Sequence, residues 1–221
     1  MCIRDSYWYL TLYNENYVMP ALAGDPGHPG EVERVRLGTI RGMYRFAGPP
    51  DDVSDDAPRA SVLFSGTAWR AAEEARRLLG EDWGVAAETW SVTSYKSLRE
   101  EALSAERHDR LHRSGPGRVP LVTSELSGST GPVVAVTDFV RAVPDQVARW
   151  VPRRFTSLGT DGFGRSDIRE VLRRFFETDA AHVVVAVLDG LEADGAVPAG
   201  TTARAVVTYG IDPEAADPWS D

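Results

Sequence analysis

The stretch FTSLGTDGFGRSDIREVLRRFFE, Phe155–Glu177, predicts a β-strand, a glycine-rich loop and an α-helix in immediate succession. Phe155–Leu158 is a short run of strand formers, and Gly159 opens a loop whose glycines permit tight turns and positive φ. From Asp167 to Phe176 the apolar residues recur at helical spacing, on one face made of Ile168, Val171, Leu172, Phe175 and Phe176. A strand that leads through a loop into a helix is the building unit of α/β proteins.

The loop of this unit is the candidate site. In an open α/β sheet such loops lie at the carboxyl edge of the strands, where ligands usually bind. Asp167 is a good helix N-cap, and Glu170 three residues later completes a capping-box-like pair. The pattern favours a rigid connector to a capped helix; the functional alternative is an anion or subunit contact at the helix N-terminus. The candidate residues for a structural or subunit contact are Asp161, Gly162, Phe163, Gly164, Arg165, Ser166 and Asp167.

The same alternation of strand and helix extends outward from this unit. Further strands are predicted at Ser61–Ser65, Val85–Val92 and Pro132–Thr137. Further helices are predicted from Thr67 to Leu79 and at Tyr95–His112, Asp145–Trp150, Asp179–Leu191 and Thr201–Tyr209. The run Val183–Val185 leaves a strand open as the alternative within Asp179–Leu191. Strands separated by helices predict a three-layer α/β/α domain with a mixed, mostly parallel sheet.

The composition limits the class of protein. In 221 residues, 33 acidic against 24 basic side chains give a net charge of -9, which disfavours nucleic acid and an anionic membrane as partners. No apolar run approaches the length of a membrane span. Cys2 is the single cysteine, so the chain can form no internal disulfide and no cysteine-ligated zinc site. These features predict a cytoplasmic protein.

The N-terminal part differs from the rest. Met1–Ser6, MCIRDS, matches the translation of a sequencing adapter, and we interpret residues 1–6 as an artefact. Tyr7–Tyr13, YWYLTLY, predicts a strand, and residues 7–20 look like the last piece of a preceding, truncated domain. Residues 21–57 hold two glycine- and proline-rich stretches and predict a linker, with a short strand at Gly42–Phe46. The α/β domain is predicted to span residues 58–221.

No motif in the chain predicts a catalytic, cofactor-binding or metal-binding residue. His108 and His112 have the spacing of a zinc pair, but Asp109 stands where the His-Glu-x-x-His motif needs glutamate, so surface histidines are favoured. His182 precedes an apolar run and predicts a core or interface histidine. Ser127–Gly131 lacks the Gly-x-Ser-x-Gly spacing of a nucleophile elbow.

Five segments in order resemble one known family. They are YWYLTLYNENYVMP (Tyr7–Pro20), GMYRF (Gly42–Phe46), EDWGVAAETWSVTSY (Glu81–Tyr95), RVPLVT (Arg118–Thr123) and GTDGFGRSDIREVLRRFFE (Gly159–Glu177). Together they resemble the C-terminal end of the homodimeric pyruvate dehydrogenase E1 components, which are transketolase-like, thiamine-diphosphate-dependent enzymes. The stretch Ala23–Arg36 departs from the family by looking longer than usual.

The resemblance implies a transketolase C-terminal-domain-like fold, with five strands of which one is antiparallel. It also implies that residues 7–20 are the last strand of the pyrimidine-binding middle domain. The full-length enzyme would use thiamine diphosphate and Mg²⁺ to decarboxylate pyruvate, and would reductively acetylate the lipoyl groups of the E2 acetyltransferase as a homodimer. The family's Gly-Asp-Gly and Asn-Asn diphosphate motif is missing from this sequence, so we expect no cofactor on this part of the chain. The alternatives are the C-terminal domain of another transketolase-like thiamine enzyme, or a non-catalytic interaction module.

Overall fold

The computed structural model describes residues 16–18 and 29–220, and a five-stranded sheet organises them. The strands are β1 (Met43–Ala47), β2 (Arg59–Phe64), β3 (Ala86–Val92), β4 (Val133–Val136) and β5 (Phe155–Leu158), in the spatial order β1-β3-β2-β4-β5. β1 pairs with β3 in the antiparallel sense, and the other pairings are parallel. The expected mixed, mostly parallel sheet is confirmed.

Helices cover both faces of this sheet. They are α1 (Pro29–Arg41), α2 (Trp69–Trp83), α3 (Tyr95–Leu111), α4 (Leu121–Leu126), α5 (Ala142–Asp145), α6 (Arg169–Phe175), α7 (Ala180–Ala193) and α8 (Thr201–Thr208), with short 3-10 turns at Gly66–Ala68 and Ala148–Trp150. Val183–Val185 belongs to α7, so the helix and not the alternative strand is confirmed. The carboxylate of Asp179 caps this helix by accepting the backbone N–H of His182 at 2.9 Å.

Alternate residues of the central strands divide the core into two clusters. Ala60, Val62 and Phe64 of β2 pack with the buried faces of α2 and α7. Leu63, between them, points to the opposite face and packs with α3 and α4. This alternation follows from the two-residue period of a strand and gives the expected three layers.

The linker prediction for residues 21–57 needs correction. This stretch contains α1 and β1, and β1 is the antiparallel edge strand of the sheet, with Met43 only 2% exposed. The short strand predicted at Gly42–Phe46 is thus confirmed, but it belongs to the sheet. α1 was missed because its apolar residues give a weak pattern: Val35 is buried, whereas Leu37 and Ile40 are largely exposed.

One further prediction differs from the structure, and one helix has no counterpart among the predictions. The helix predicted at Asp145–Trp150 is wrong, since α5 ends at Asp145 and a separate 3-10 turn forms at Ala148–Trp150. The helix α4 was not predicted. The strand predicted at Tyr7–Tyr13 lies outside the described residues. Across the described part of the chain, no helix has the length and apolar character needed to cross a membrane.

Candidate functional site

The carboxyl ends of β2, β4 and β5 meet at one edge of the sheet, as the loop position predicts. A polar network joins the residues that follow these strands. The hydroxyls of Ser65 and Thr137 lie 2.6 Å apart in a buried hydrogen bond. The Thr67 hydroxyl donates to the Asp138 carboxylate at 3.2 Å, and the Thr160 hydroxyl donates to the Asp138 carbonyl oxygen at 3.0 Å. These bonds fix the positions of the three loops relative to one another.

A groove of about 250 Å³ opens at this edge. Its polar lining comes from Thr67, Asp138 and Thr160 on one side, and from Arg169 and Arg173 of α6 on the other. The described residues that line it include no histidine and no cysteine; their hydroxyls belong to threonines, and that of Thr67 donates to the Asp138 carboxylate. The groove can therefore bind and position polar groups.

The candidate loop begins beside this groove and is held by an arginine from the neighbouring loop. Asp161 accepts the backbone N–H of Arg141 at 2.9 Å and its Nε–H at 2.5 Å. Burial alone would raise the pKa of Asp161, but these hydrogen bonds and the charge of Arg141 outweigh it and lower that pKa. Asp161 is therefore ionised at neutral pH and serves as the anchor of the loop.

The loop and the start of α6 present apolar side chains to solvent. Phe163 of the loop is 82% exposed, and Ile168 and Val171 at the start of α6 are 64% and 45% exposed. The guanidinium of Arg165 stacks on the ring of Phe175 at 4.1 Å from its centre. An exposed apolar surface next to charged side chains is typical of a protein contact.

The prediction that Asp167 is the N-cap of the following helix is wrong. The helix α6 begins at Arg169, so Ile168 occupies the N-cap position and no side chain caps the helix. Asp167 instead accepts the backbone N–H of its neighbour Ile168 at 2.7 Å. With Ile168 at the N-cap, Glu170 is the second residue of the helix. A capping box needs the glutamate at the third, so the predicted pairing does not form.

Several residues that shape this edge had no signal in the sequence. Arg141 lies 20 positions from Asp161, and nothing in the local pattern links them. Tyr17 is a second case: its hydroxyl accepts from Arg173 at 3.4 Å, and the guanidinium of Arg70 lies 5.0 Å from the centre of its ring. The segment preceding the domain thus contacts both α2 and α6 beside the groove.

The structure describes His108, His112 and His182 of the four histidines. His108 and His112 stack with ring centres 4.3 Å apart, on the exposed side of α3. Within the described residues no three His, Cys, Asp or Glu side chains are grouped closely enough to hold a metal ion. His182 is mostly buried, and its Nδ1 lies 2.6 Å from the Asp179 carboxylate, which is consistent with a structural histidine.

Comparison with known proteins identifies the fold family. The family described as the transketolase-like TK C-terminal domain matches residues 42–179, more than half of the chain. The chain belongs to this family. The start of the match at residue 42 agrees with the place of β1 in the sheet. The transketolase C-terminal fold expected from the sequence is confirmed.

Curated relatives of this transketolase C-terminal domain are pyruvate dehydrogenase E1 components. The chain is 44% identical to that of Mycolicibacterium smegmatis over 93% of this chain and 21% of the relative, and 41% identical to that of Pseudomonas aeruginosa over 97% and 23%. The chain therefore spans about a fifth of their length. Among solved structures, the transketolase from Leishmania mexicana superposes with a TM-score of 0.45 at 21% identity, over 76% of this chain and 20% of that one.

The groove at the carboxyl edge offers few protein ligands to thiamine diphosphate with Mg²⁺. In phosphate sites Mg²⁺ usually takes one or two carboxylates, the phosphate oxygens and several waters. The groove lining contributes one carboxylate, that of Asp138, and the Thr67 hydroxyl already donates to it.

Proposed function

We propose that this chain is the C-terminal part of a pyruvate dehydrogenase E1 component. The identity of 44% over 93% of the chain supports this assignment, because it extends well beyond the segment that the family match covers. The full-length protein would decarboxylate pyruvate and reductively acetylate the lipoyl groups of E2. It would work as a homodimer in the cytoplasm.

In this proposal the domain supplies structure and contacts rather than chemistry. Thiamine diphosphate, held with Mg²⁺ by the upstream domains, would supply the electron sink for decarboxylation. The polar network around Asp138 fixes the loops at the carboxyl edge, and Tyr17 attaches the preceding segment to the same edge. Residues 7–20 would be the last strand of the middle domain, and the groove would then lie at a junction between domains.

The experiment on this assignment uses the full-length protein with thiamine diphosphate and Mg²⁺. We expect pyruvate-dependent reduction of an artificial electron acceptor, and acetylation of a lipoylated E2 domain detected by its mass. A preference for another 2-oxo acid or for a ketose phosphate would instead assign the chain to another transketolase-like enzyme. A full-length protein without any of these activities would favour the non-catalytic interaction module.

We further propose that the loop Asp161–Asp167 is a subunit contact, with Phe163 at its centre. A phenyl ring that is 82% exposed is costly to leave in water and gains by burial against a partner. In the full-length protein, Phe163→Ala should weaken self-association at least tenfold, as a buried aromatic anchor does when truncated. Val207→Ala is the matched control, because Val207 is 80% exposed on α8. Sedimentation equilibrium measures both, and equal dimer affinities for the two variants would remove this role from the loop.

A further inference from the structure

The last residues of the chain lie directly against the candidate loop. Pro218 is buried, and the ring of Trp219 lies under Arg141, whose guanidinium carbon is 4.3 Å from the ring centre. The same Arg141 donates to both carboxylate oxygens of Asp161. One arginine therefore connects the C-terminal segment to the start of the loop.

Backbone packing forms a second connection between these two parts. Gly162 has a φ of +94°, and a Cβ at this position would lie 2.5 Å from the carbonyl oxygen of Pro218 and 3.1 Å from the Cα of Trp219. A cavity of only about 10 Å³ lies where Pro218 and Trp219 approach Arg141 and Gly159. Direct contact, and not a layer of water, joins the loop to the C-terminal segment.

We propose that the C-terminal segment, residues 217–220, is a clamp that fixes the conformation of the loop and thereby directs Phe163 outward. The loop carries three glycines, Gly159, Gly162 and Gly164, so its unconstrained backbone would sample many conformations. Ordering them in advance lowers the entropy lost when a partner binds. The clamp rests on the proposed function, since it gives the subunit contact its preorganised shape.

The test uses the full-length protein and two measurements. Hydrogen exchange of the amides in residues 159–167 reports the conformation of the loop, and sedimentation equilibrium reports self-association. Trp219→Ala removes the ring under Arg141 and should raise the exchange rates of the loop about fivefold or more, the usual contribution of a partly buried cation–π contact. Self-association should weaken by a similar factor. Trp219→Phe keeps an aromatic ring, so its loop exchange rates and its self-association should lie between those of the parent and of Trp219→Ala. Val207→Ala should change neither measurement.

A second variant approaches the same contact from the loop. Gly162→Ala places a methyl group where the Pro218 carbonyl lies, so it should also raise loop exchange and loosen residues 217–220. A thermal melt of each variant establishes that the rest of the domain is folded.

The outcomes separate the clamp from the subunit contact. Unchanged loop exchange in both Trp219→Ala and Gly162→Ala overturns the clamp, even if Phe163→Ala weakens association. A second outcome is that Trp219→Ala and Gly162→Ala speed up loop exchange but leave self-association unchanged, while Phe163→Ala weakens it. The clamp would then not contribute to the subunit contact, and that part of the proposal is overturned. If Phe163→Ala has no effect on association, the subunit contact fails, and faster loop exchange still supports the clamp.

Discussion

Glu88 connects three strands through one carboxylate. It lies on β3 and forms an ion pair with Arg45 of β1, whose Nε is 2.9 Å from a carboxylate oxygen; it also accepts the hydroxyl of Ser61 from β2 at 3.0 Å and the indole N–H of Trp90 at 2.9 Å. Ser61 is fully buried, so its hydroxyl has no access to water in place of Glu88. Removing the carboxylate therefore leaves buried donors without an acceptor.

We expect Glu88→Ala to lower the free energy of unfolding by about 2 kcal/mol, the usual cost of unsatisfied buried donors. Glu125→Ala is the control, because Glu125 is exposed and lines the same cavity of about 340 Å³ as Glu88; this variant should stay within about 0.5 kcal/mol of the parent. Urea titration of both variants measures the difference. Equal midpoints for the two variants would mean that Glu88 does not stabilise the sheet.

Asp179 and Asp167 both precede helices, but only Asp179 caps the helix that follows it. Asp179 accepts the N–H of His182 and the guanidinium of Arg174, whereas Asp167 accepts only the N–H of its neighbour. Asp179→Ala should cost about 1 to 2 kcal/mol at neutral pH as a lost N-cap. Asp167→Ala should cost less than about 0.5 kcal/mol. Denaturant titration compares them, and a larger loss at Asp167 would restore its predicted capping role.

The contribution of Asp179 should also depend on pH. Burial alone raises the pKa of Asp179, but hydrogen bonds from His182 and Arg174 outweigh it and lower that pKa below the ordinary value. A lowered folded-state pKa means that the unfolded chain binds the proton more readily. The stabilisation should be present above about pH 4, the ordinary aspartate value, and should be lost as the pH falls below it. A difference between parent and Asp179→Ala that stays constant down to pH 3 would contradict this.

At the level of elements, the end of α6 contains a strained residue. Glu177 has a φ of +56° and follows the helix in a Schellman motif, in which the N–H of Thr178 donates to the Arg173 carbonyl at 2.8 Å and that of Glu177 to the Arg174 carbonyl at 3.2 Å. Glycine occupies such a position without steric cost. The helix therefore ends with the usual geometry but without the usual residue.

Glu177→Gly should stabilise the protein by up to about 1 kcal/mol, because it relieves the left-handed backbone strain. The reverse substitution, from glycine to a residue with a Cβ, can be made at the end of α2. Gly84 there has a φ of +61° and open space around it. Gly84→Ala should therefore cost about 1 kcal/mol through backbone strain alone. Thermal melts of both variants check the two signs, and a loss of stability in Glu177→Gly would show that its side chain contributes more than the strain costs.

The elements that the sequence predicts well are those with strong periodicity. α2 and α3 carry clear apolar faces, β4 is a continuous apolar run and β2 ends in one, so local pattern suffices for them. The apolar face of α1 is weak, so its sequence pattern does not predict a helix. The site is harder to predict still: the loop was found from its glycines, but Arg141 and Trp219 reach it through contacts between distant positions. Pattern within a short window carries no information on such contacts.

For the whole molecule, the position of β1 decides where the domain begins. The sequence places the boundary at residue 58, but β1 protects the edge of β3 and inserts Met43 and Tyr44 into buried positions. Without β1 the edge of β3 would expose unpaired backbone groups beside the apolar ring of Trp90. The expected domain therefore includes residues that the composition assigns to a linker.

We expect a protein of residues 29–221 to be monodisperse and to unfold cooperatively, while one of residues 58–221 should associate and melt at a lower temperature. The loss of backbone pairing along β3 and of the buried Met43 accounts for both effects. A protein of residues 42–221 is the control, because it keeps β1 but lacks α1 and so separates the strand from the helix. Sedimentation velocity and thermal melting compare the three. If residues 58–221 remain monomeric and melt at the same temperature as residues 42–221, β1 is dispensable and the boundary at 58 is the correct one.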